Sequence, residues 1–396
     1  MRVLCIHNRY QQRGGEDAVF DAESALLERN SHTAIRLVFD NDTIEARRSA
    51  IASARLAADT IWSRSAAARI RAAIRQHQPD IAHFHNTFPL ISPAAYCACQ
   101  RENVPVVQTI HNYRLACPNA SFYRDGGPCH DCHDKAVPWP GVLHACYRDS
   151  RAQSAVVASM LAVHRLRGTW SKDVDRYVAL TEFSRRQLTR AGLPPKRLSV
   201  KSNFLDPDPG SGGRHGDHFL FVGRLAENKG IQPLLGAWTG NDDMPLLQIA
   251  GDGPLVDACH DAAVGHRSIC YLGRLDRPAV LDQMQGARAL IFPSLWYESF
   301  PVTIIEAFAC GLPVIASRLG VLPEIVSEGE TGLLFNPGDP VDIARAVRWA
   351  VSHPEEMSRM GRNARRAYEA KYTGDRNYPQ LIGIYEDVLA RRESRQ

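Results

Sequence analysis

No stretch of the 396-residue sequence comes near the ~20 consecutive apolar residues that a membrane-spanning helix needs. The opening residues, MRVLCIHNRY, hold only a short apolar run before polar side chains, too little for a secretory signal, so the expected compartment is the cytoplasm. Neither sign of charge dominates: 47 Lys and Arg against 43 Asp and Glu leave a formal +4, which gives no case for a nucleic-acid partner. The dinucleotide fingerprint G-x-G-x-x-G is absent, and the cysteines do not follow standard zinc-finger spacing. Ten cysteines without a secretion signal point to reduced thiols or a metal before disulfides. The length suits two domains, each large enough for its own core.

What is present is an alternation of short apolar runs and helical patterns, the mark of parallel α/β domains. RVLCIH reads as a buried strand, Gln11 to Gly15 as a loop, Glu16 to Asn30 as a helix and AIRLVFD as the next strand. Gly14 and Gly15 let a ligand approach the backbone of that βαβ unit. Arg47 to Arg75 follows as one long alanine-rich helical stretch. It carries Arg47, Arg48, Arg55, Arg64, Arg69, Arg71 and Arg75 against a single acid, Asp59, with apolar residues from Ile51 to Ile74 between them. Such a basic amphipathic helix suits an anionic membrane surface or a lipid-diphosphate acceptor, or is a solvated face over an ordinary core.

DIAHFHN and PVVQTIHN are strands that each end in His-Asn, which makes His85 and His111 candidates for the ligand end of the sheet. The next segment holds Cys117, Cys129, Cys132 and Cys146, with CHDCH at its centre. The C-x2-C pair can offer two thiolates to a structural zinc, with Cys117 and Cys146 or His130, His133 and His144 completing the set. The alternative is an irregular reduced loop. Arg148 to Trp170 is a second Arg- and Ala-rich helical region, and DRYVALT and LSVKSNF flank a helix from Glu182 to Ala191.

The second half opens with the strand HFLFVGRL, ended by Arg224, and Lys229 stands at the following helix. Two cations at a strand end and a helix start can hold a diphosphate and neutralise charge as it leaves. LLQIAGDGP is a strand and tight turn in which Gly251 and Gly253 can approach a ligand. The stretch Leu295 to Ser317, LWYESFPVTIIEAFACGLPVIAS, places Glu298 on a loop after the strand RALIFPS. Pro301 is expected at the first helical position and Glu306 two turns into a helix of Thr303 to Cys310, stopped by Gly311.

Those two carboxylates resemble the E-x7-E signature of the retaining family 4 glycosyltransferases, and the likeness extends over nearly the whole chain. It includes Arg224 with Lys229, the GDGP turn, and HNYRLACPNA in place of the family's His-Asp-Tyr segment, with Asn112 where an aspartate is usual. The resemblance implies a GT-B fold: two Rossmann-like parallel α/β domains facing across a cleft. The expected division is 1–203 for the acceptor side, with a Cys-bearing insert at about 113–147, then a linker at 204–217. The nucleotide-sugar domain follows at 218–375, and a last helix at 376–396 crosses back to the first domain. By resemblance the catalytic residues are His111, Glu298, Arg224 and Lys229. The donor contacts are Gly14, Gly15, Arg224, Lys229, Gly251, Gly253, Glu298, Ser299, Phe300, Pro301 and Glu306. Val321, where the family often has a glycine, is expected to narrow a ligand loop.

The expected activity is transfer of a hexose from a UDP- or GDP-sugar to a hydroxyl of a glycan or lipid-linked acceptor, with retained configuration and no catalytic metal. Polysaccharide assembly, with peripheral attachment at the inner face of the cell membrane, is the setting that the basic helices and the insert suggest. A sugar-nucleotide 2-epimerase or a phosphorylase would share the fold. A zinc-stabilised binding protein that has lost catalysis is the alternative from another class.

Overall fold

The structure, a computed structural model, describes residues 1–11, 14–45, 49–212 and 216–394. Arg47 and Arg48 of the basic stretch, and 213–215 of the expected linker, lie outside the described residues. The chain divides into two compact units. The first holds Met1–Phe122, His130–Asn203 and Asn377–Gln396, and the second holds Tyr123–Cys129 and Phe204–Arg376. Part of the cysteine-bearing insert therefore groups with the second unit, and the last helix contributes to the first.

The sheet of the first unit runs Thr33–Asp40, Arg2–Arg9, Ile81–Phe84, Val106–Ile110, Arg176–Ala179, Leu198–Val200, every neighbour parallel. Parallel sheets are covered on both faces, which is why Val3 to Ile6 reads as an unbroken apolar run. On one face Leu4, Ile6 and Phe84 pack with Ile70, Ile74 and Tyr96. On the other, Val3, Cys5 and Ile81 pack with Phe20 and Leu27 of the helix Gly15–Arg29, and with Leu381, Tyr385 and Val388 of the helix Gly374–Glu393.

The arginine-rich stretch is not one helix. It is two, Ala50–Trp62 and Arg64–His77, interrupted at Ser63. Ser63 adopts extended backbone, its hydroxyl accepts from the Ala66 amide, and its own amide donates to Ser92 Oγ at 2.9 Å. A capping serine held from outside the helix ends one segment and starts the next. In the second segment Ala66, Ile70 and Ile74 are buried, an ordinary core face, whereas Ile51 in the first is 83% exposed. The second arginine-rich region is likewise broken, into Arg151–Arg167 and Thr169–Lys172, by Gly168 at φ +71°. No helix among the described residues is long and apolar enough to cross a membrane.

The sheet of the second unit runs Ile269–Gly273, Leu247–Ala250, Phe219–Val222, Ala289–Phe292, Val314–Ser317, Gly332–Phe335, again parallel throughout. Phe219, Phe221, Ile291 and Trp238 centre a core closed by the helices Ile231–Thr239, Pro340–Ser352 and Pro354–Lys371. In each sheet the order reverses beside the unit's first strand. These switch points lie between Arg2–Arg9 and Ile81–Phe84, and between Phe219–Val222 and Ala289–Phe292. Loops that leave the carboxyl ends of such a strand pair diverge and open a crevice, the usual place for a ligand in an open α/β sheet.

Candidate active site

In the second unit the two loops at the switch point carry Arg224 and Lys229 on one side, and Ser294 to Pro301 on the other. They are stitched together by the amide of Leu295, which donates to the Asn228 carbonyl at 2.9 Å. Gly230 permits that approach: it sits at φ +73°, and a Cβ there would lie 1.9 Å from the Pro293 carbonyl oxygen. Gly251 is held to glycine in the same way, by the Gly223 carbonyl. Gly251 and Gly253 thus support the Gly223–Leu225 backbone, a packing reason for two residues expected to meet a ligand.

Glu298 is buried, and its Oε1 collects three donors: Lys229 Nζ at 2.7 Å, Ser294 Oγ at 2.9 Å and Trp296 Nε1 at 2.6 Å. Lys229 also lies 5.0 Å from the Trp296 ring centroid, a cation–π contact that helps hold the ammonium in place. Arg224, by contrast, is exposed and its side chain makes no ion pair or hydrogen bond among the described residues. Ser294 and Trp296 escaped the sequence reading. The signal was local: both sit within four residues of Glu298, and a strand followed by a polar side chain and an indole offers donors to a nearby carboxylate.

Pro301 caps the helix Val302–Ala309 instead of beginning it, since its ψ of 92° is extended. Glu306 is consequently in the second turn. It is largely buried, 3.4 Å from Arg277 Nε, and burial raises its pKa against the pull of that guanidinium. Ser299 and Phe300 are half-buried on the connecting loop. Val321 is fully buried at the start of the short helix Leu322–Ile325. Its side chain is turned away from solvent, so any effect on the ligand loop or on the sugar accepted acts through packing.

The first unit gathers a second set of polar groups at its own switch point. Gly14 and Gly15 are exposed at the start of the first helix, with the Gly14 amide donating to Asp17. Beneath them lies a buried chain. Lys201 Nζ bonds Glu23 Oε2 at 2.9 Å, Glu23 Oε1 lies 3.3 Å from His85 Nε2, and His85 Nδ1 lies 3.0 Å from His111 Nε2. A nitrogen lone pair facing a carboxylate would be repelled, so His85 carries its proton on Nε2. Its Nδ1 then accepts from His111 Nε2, which leaves His111 Nδ1 as a bare acceptor. Burial holds the pKa of His85 down at about 4 and that of His111 well below the usual range, so both rings are neutral at pH 7.

Burial disfavours the Glu23 charge, but Lys201 and His83 outweigh it and keep the carboxyl ionised. Glu23, His83 and His85 bring three metal-ligand atoms within 4.8 Å, the one such set among the described residues. Lys201 already supplies the countercharge there, and Asn377 binds the same ammonium at 2.9 Å. The set is a buried ion-pair network in which Glu23 Oε1 lies 3.1 Å from His83 Nδ1 and 3.3 Å from His85 Nε2.

The expected zinc ligands do not form such a set. Cys117, Cys132 and Cys146 share the first unit without converging, and Cys129 groups with the second. Cys132 Sγ instead faces the Pro138 carbonyl at 3.9 Å, and His130 faces His133 across 3.1 Å.

With this geometry in view, comparison with known proteins is direct. Residues 14–209 match the model of Glycosyltransferase Family 4, and residues 215–367 match that of Glycosyl transferases group 1. The chain belongs to the family 4 glycosyltransferases.

Among relatives of this glycosyltransferase, a D-rhamnosyltransferase of Pseudomonas aeruginosa is 37% identical over 159 residues, covering 39% of this chain and 41% of that protein. A glycogen synthase of Mycobacterium tuberculosis is 26% identical over 336 residues, 81% of this chain and 72% of the relative. Among solved structures, Anabaena HepE in complex with UDP superposes with a TM-score of 0.67 at 18% identity, covering 98% of this chain and 100% of that one. A sucrose-phosphate synthase from Thermosynechococcus elongatus gives 0.70 at 16% identity, with 98% and 100% coverage. The fold is GT-B.

Proposed function

We propose that this glycosyltransferase moves a hexose from a nucleotide-diphosphate sugar to a hydroxyl acceptor, with retention and without a catalytic metal, in the assembly of a polysaccharide or lipid-linked glycan. The observation that carries the reading is the pairing of an unpartnered Arg224 with Lys229 at a strand-end switch point, next to the buried Glu298. Arg224 and Lys229 take the diphosphate, and Lys229 exchanges its contact with Glu298 for one with phosphate. Glu298 is then released towards the sugar hydroxyls, and Glu306 accepts from the ribose hydroxyls. The Ser299–Pro301 segment borders the phosphates. His111 accepts a hydrogen bond from a sugar hydroxyl at Nδ1.

In the step itself the bond from the anomeric carbon to the phosphate oxygen breaks as the acceptor oxygen bonds to the same face. The departing phosphate oxygen takes the acceptor's proton. The two cations stabilise charge where it develops, which is the interaction worth most in the transition state. A UDP-sugar is the donor class that the UDP-bound structural relative favours. A cytoplasmic enzyme held peripherally at the inner face of a membrane fits the exposed arginines and Ile51 of the first unit.

Thermal denaturation against UDP, GDP, ADP and CMP tests the proposal. A nucleotide at ~100 times its Kd should add about 2.7 kcal/mol, and Arg224→Ala should abolish that gain. No shift with any nucleotide, or a shift that ignores Arg224, would sink the assignment.

A further inference from the structure

The first unit holds a cavity of about 260 Å³ between the helices Arg64–His77 and Ala94–Arg101, away from the histidines and glycines of the switch point. Its floor is made of alanines and the Trp62 side chain, and its wall carries Arg64, Arg71 and Arg101. No acidic side chain lines it. Among the described residues no side chain of these three arginines makes an ion pair or a hydrogen bond, although Arg71 acts on the Glu102 carboxylate from further off. The contrast along the same helix is informative. Arg75 is held by both oxygens of Glu102, and Arg69 donates to the Val38 carbonyl and stacks on Phe39. Cys97, also on the wall, donates to Asp173 Oδ2, which engages the nearby carboxylate.

Three guanidiniums around one concavity, none in direct contact with a carboxylate, repel each other unless an anion joins them. The Arg75–Glu102 contact matches one helix's later turns with the other's, so the helices run side by side in the same direction. The Trp62 ring is flanked by His164, stacked at 5.5 Å, and by Arg167 at 4.6 Å, which leaves it as a wall and not a stacking platform for a base. The volume lies below the ~300–1,000 Å³ usual for drug-sized ligands. A small anion fits it, and a nucleotide sugar does not.

We propose that this cavity is a phosphate-binding site that takes a phosphate or diphosphate monoester, with Arg64, Arg71 and Arg101 as its ligands. Planar guanidinium forks match the geometry of phosphate oxygens, and alanine walls leave room for the first atoms of an apolar stem. The occupant is either a soluble phosphate ester or the headgroup of a membrane lipid. No residue in it is shared with the proposed donor site.

The test uses the full chain carrying Arg224→Ala and Lys229→Ala, so that the donor site cannot contribute. Calorimetric titration with inorganic diphosphate at low salt should show one site, about tenfold weaker for each of Arg64→Gln, Arg71→Gln and Arg101→Gln. Arg75→Lys, which keeps a cation for Glu102, should leave binding unchanged. The arginines make no contacts that the fold needs, and unchanged circular dichroism of the variants verifies this. Flotation with phosphatidylcholine vesicles, with and without phosphatidic acid, separates the sources. Capture by the acidic vesicles that is lost in the triple variant assigns the lipid headgroup, and diphosphate binding without capture assigns a soluble ester. Equal diphosphate affinity in wild-type arginine and triple-variant backgrounds, or no binding in either, overturns the proposal.

Discussion

Lys229 and Glu298 illustrate how one contact serves two states. Without donor, the ammonium neutralises a buried carboxylate that Ser294 and Trp296 also bind. Lys229→Ala should therefore cost about 1–3 kcal/mol of stability, since the buried Glu298 carboxyl is left with one donor fewer. Adding Glu298→Gln should recover part of that loss, because a neutral amide needs no counter-ion. Transfer should stay roughly 100-fold or more below wild type in both chains, as leaving-group stabilisation is gone. Thermal melts and initial rates measured on the same samples check both halves. A Lys229→Ala enzyme with full turnover would remove the phosphate role.

Glu23 and Lys201 form a buried pair with no exposed edge, at 2% and 1% side-chain exposure. Glu23→Ala strands an ammonium, and a loss of about 3–5 kcal/mol is expected in urea denaturation. His85→Gln is the gentler probe. Its amide can donate to Glu23 and its carbonyl can accept from His111 Nε2, so His111 Nδ1 stays bare and transfer is expected to persist in an enzyme that still folds. His85→Leu offers His111 Nε2 no acceptor and should lower transfer, and full activity in that variant would mean that His111 does not use Nδ1.

Among the elements, the loop from Gly223 to Gly230 shows why glycine spacing matters. Gly230→Ala meets both a positive φ and a Cβ clash with the Pro293 carbonyl oxygen, so the turn must move. It carries Lys229 with it. Donor affinity should fall at least about tenfold, with a stability loss of about 1–3 kcal/mol. A crystal structure or calorimetry of the variant distinguishes this from a silent change. The break at Ser63 belongs to the same scale. Ser63→Ala removes the cap of Arg64–His77 and should cost about 1 kcal/mol in thermal stability.

For the whole molecule, the buried neutral histidines set the acid limit. His85 and His133 both have pKa values lowered to about 4, by burial first and then by neighbouring histidines. Unfolded, each titrates near 6.5, so between those values the unfolded chain binds more protons. Their contribution to stability is complete above pH 6.5 and is lost as the pH falls towards 4. The His85 share is about 3 kcal/mol. Glu16 has the opposite sign: burial raises its pKa to about 7, so its share declines as the pH rises from about 4.5 towards 7. A series of urea melts from pH 4 to 8, repeated with His85→Gln, should show a flatter acid limb for the variant.

Much of the fold was legible before any coordinates. The apolar runs became strands, though LSVKSNF and HFLFVGRL end three or four residues earlier than read, and Gly311 did end its helix, because short-range patterning and backbone sterics act locally. Arg224, Lys229, Glu298 and Glu306 could be found because their spacing lies within single strand-loop-helix units. The Glu23 network was less visible, although a glutamate on the apolar stripe of Val19, Phe20, Leu26 and Leu27 is a signal in itself. Its partners His83, Lys201 and Asn377 come from distant segments, which only chain topology brings together. The same holds for the four cysteines, whose C-x2-C spacing suggested a metal centre that packing does not assemble from those within one unit. The sequence by itself determined two parallel α/β units and the cations and carboxylates at their strand ends, since periodicity and loop chemistry need only neighbours. Tertiary structure alone decided which charges are paired, which histidine nitrogen is bare, and which three arginines line one cavity. Those outcomes depend on distances between residues far apart in the chain.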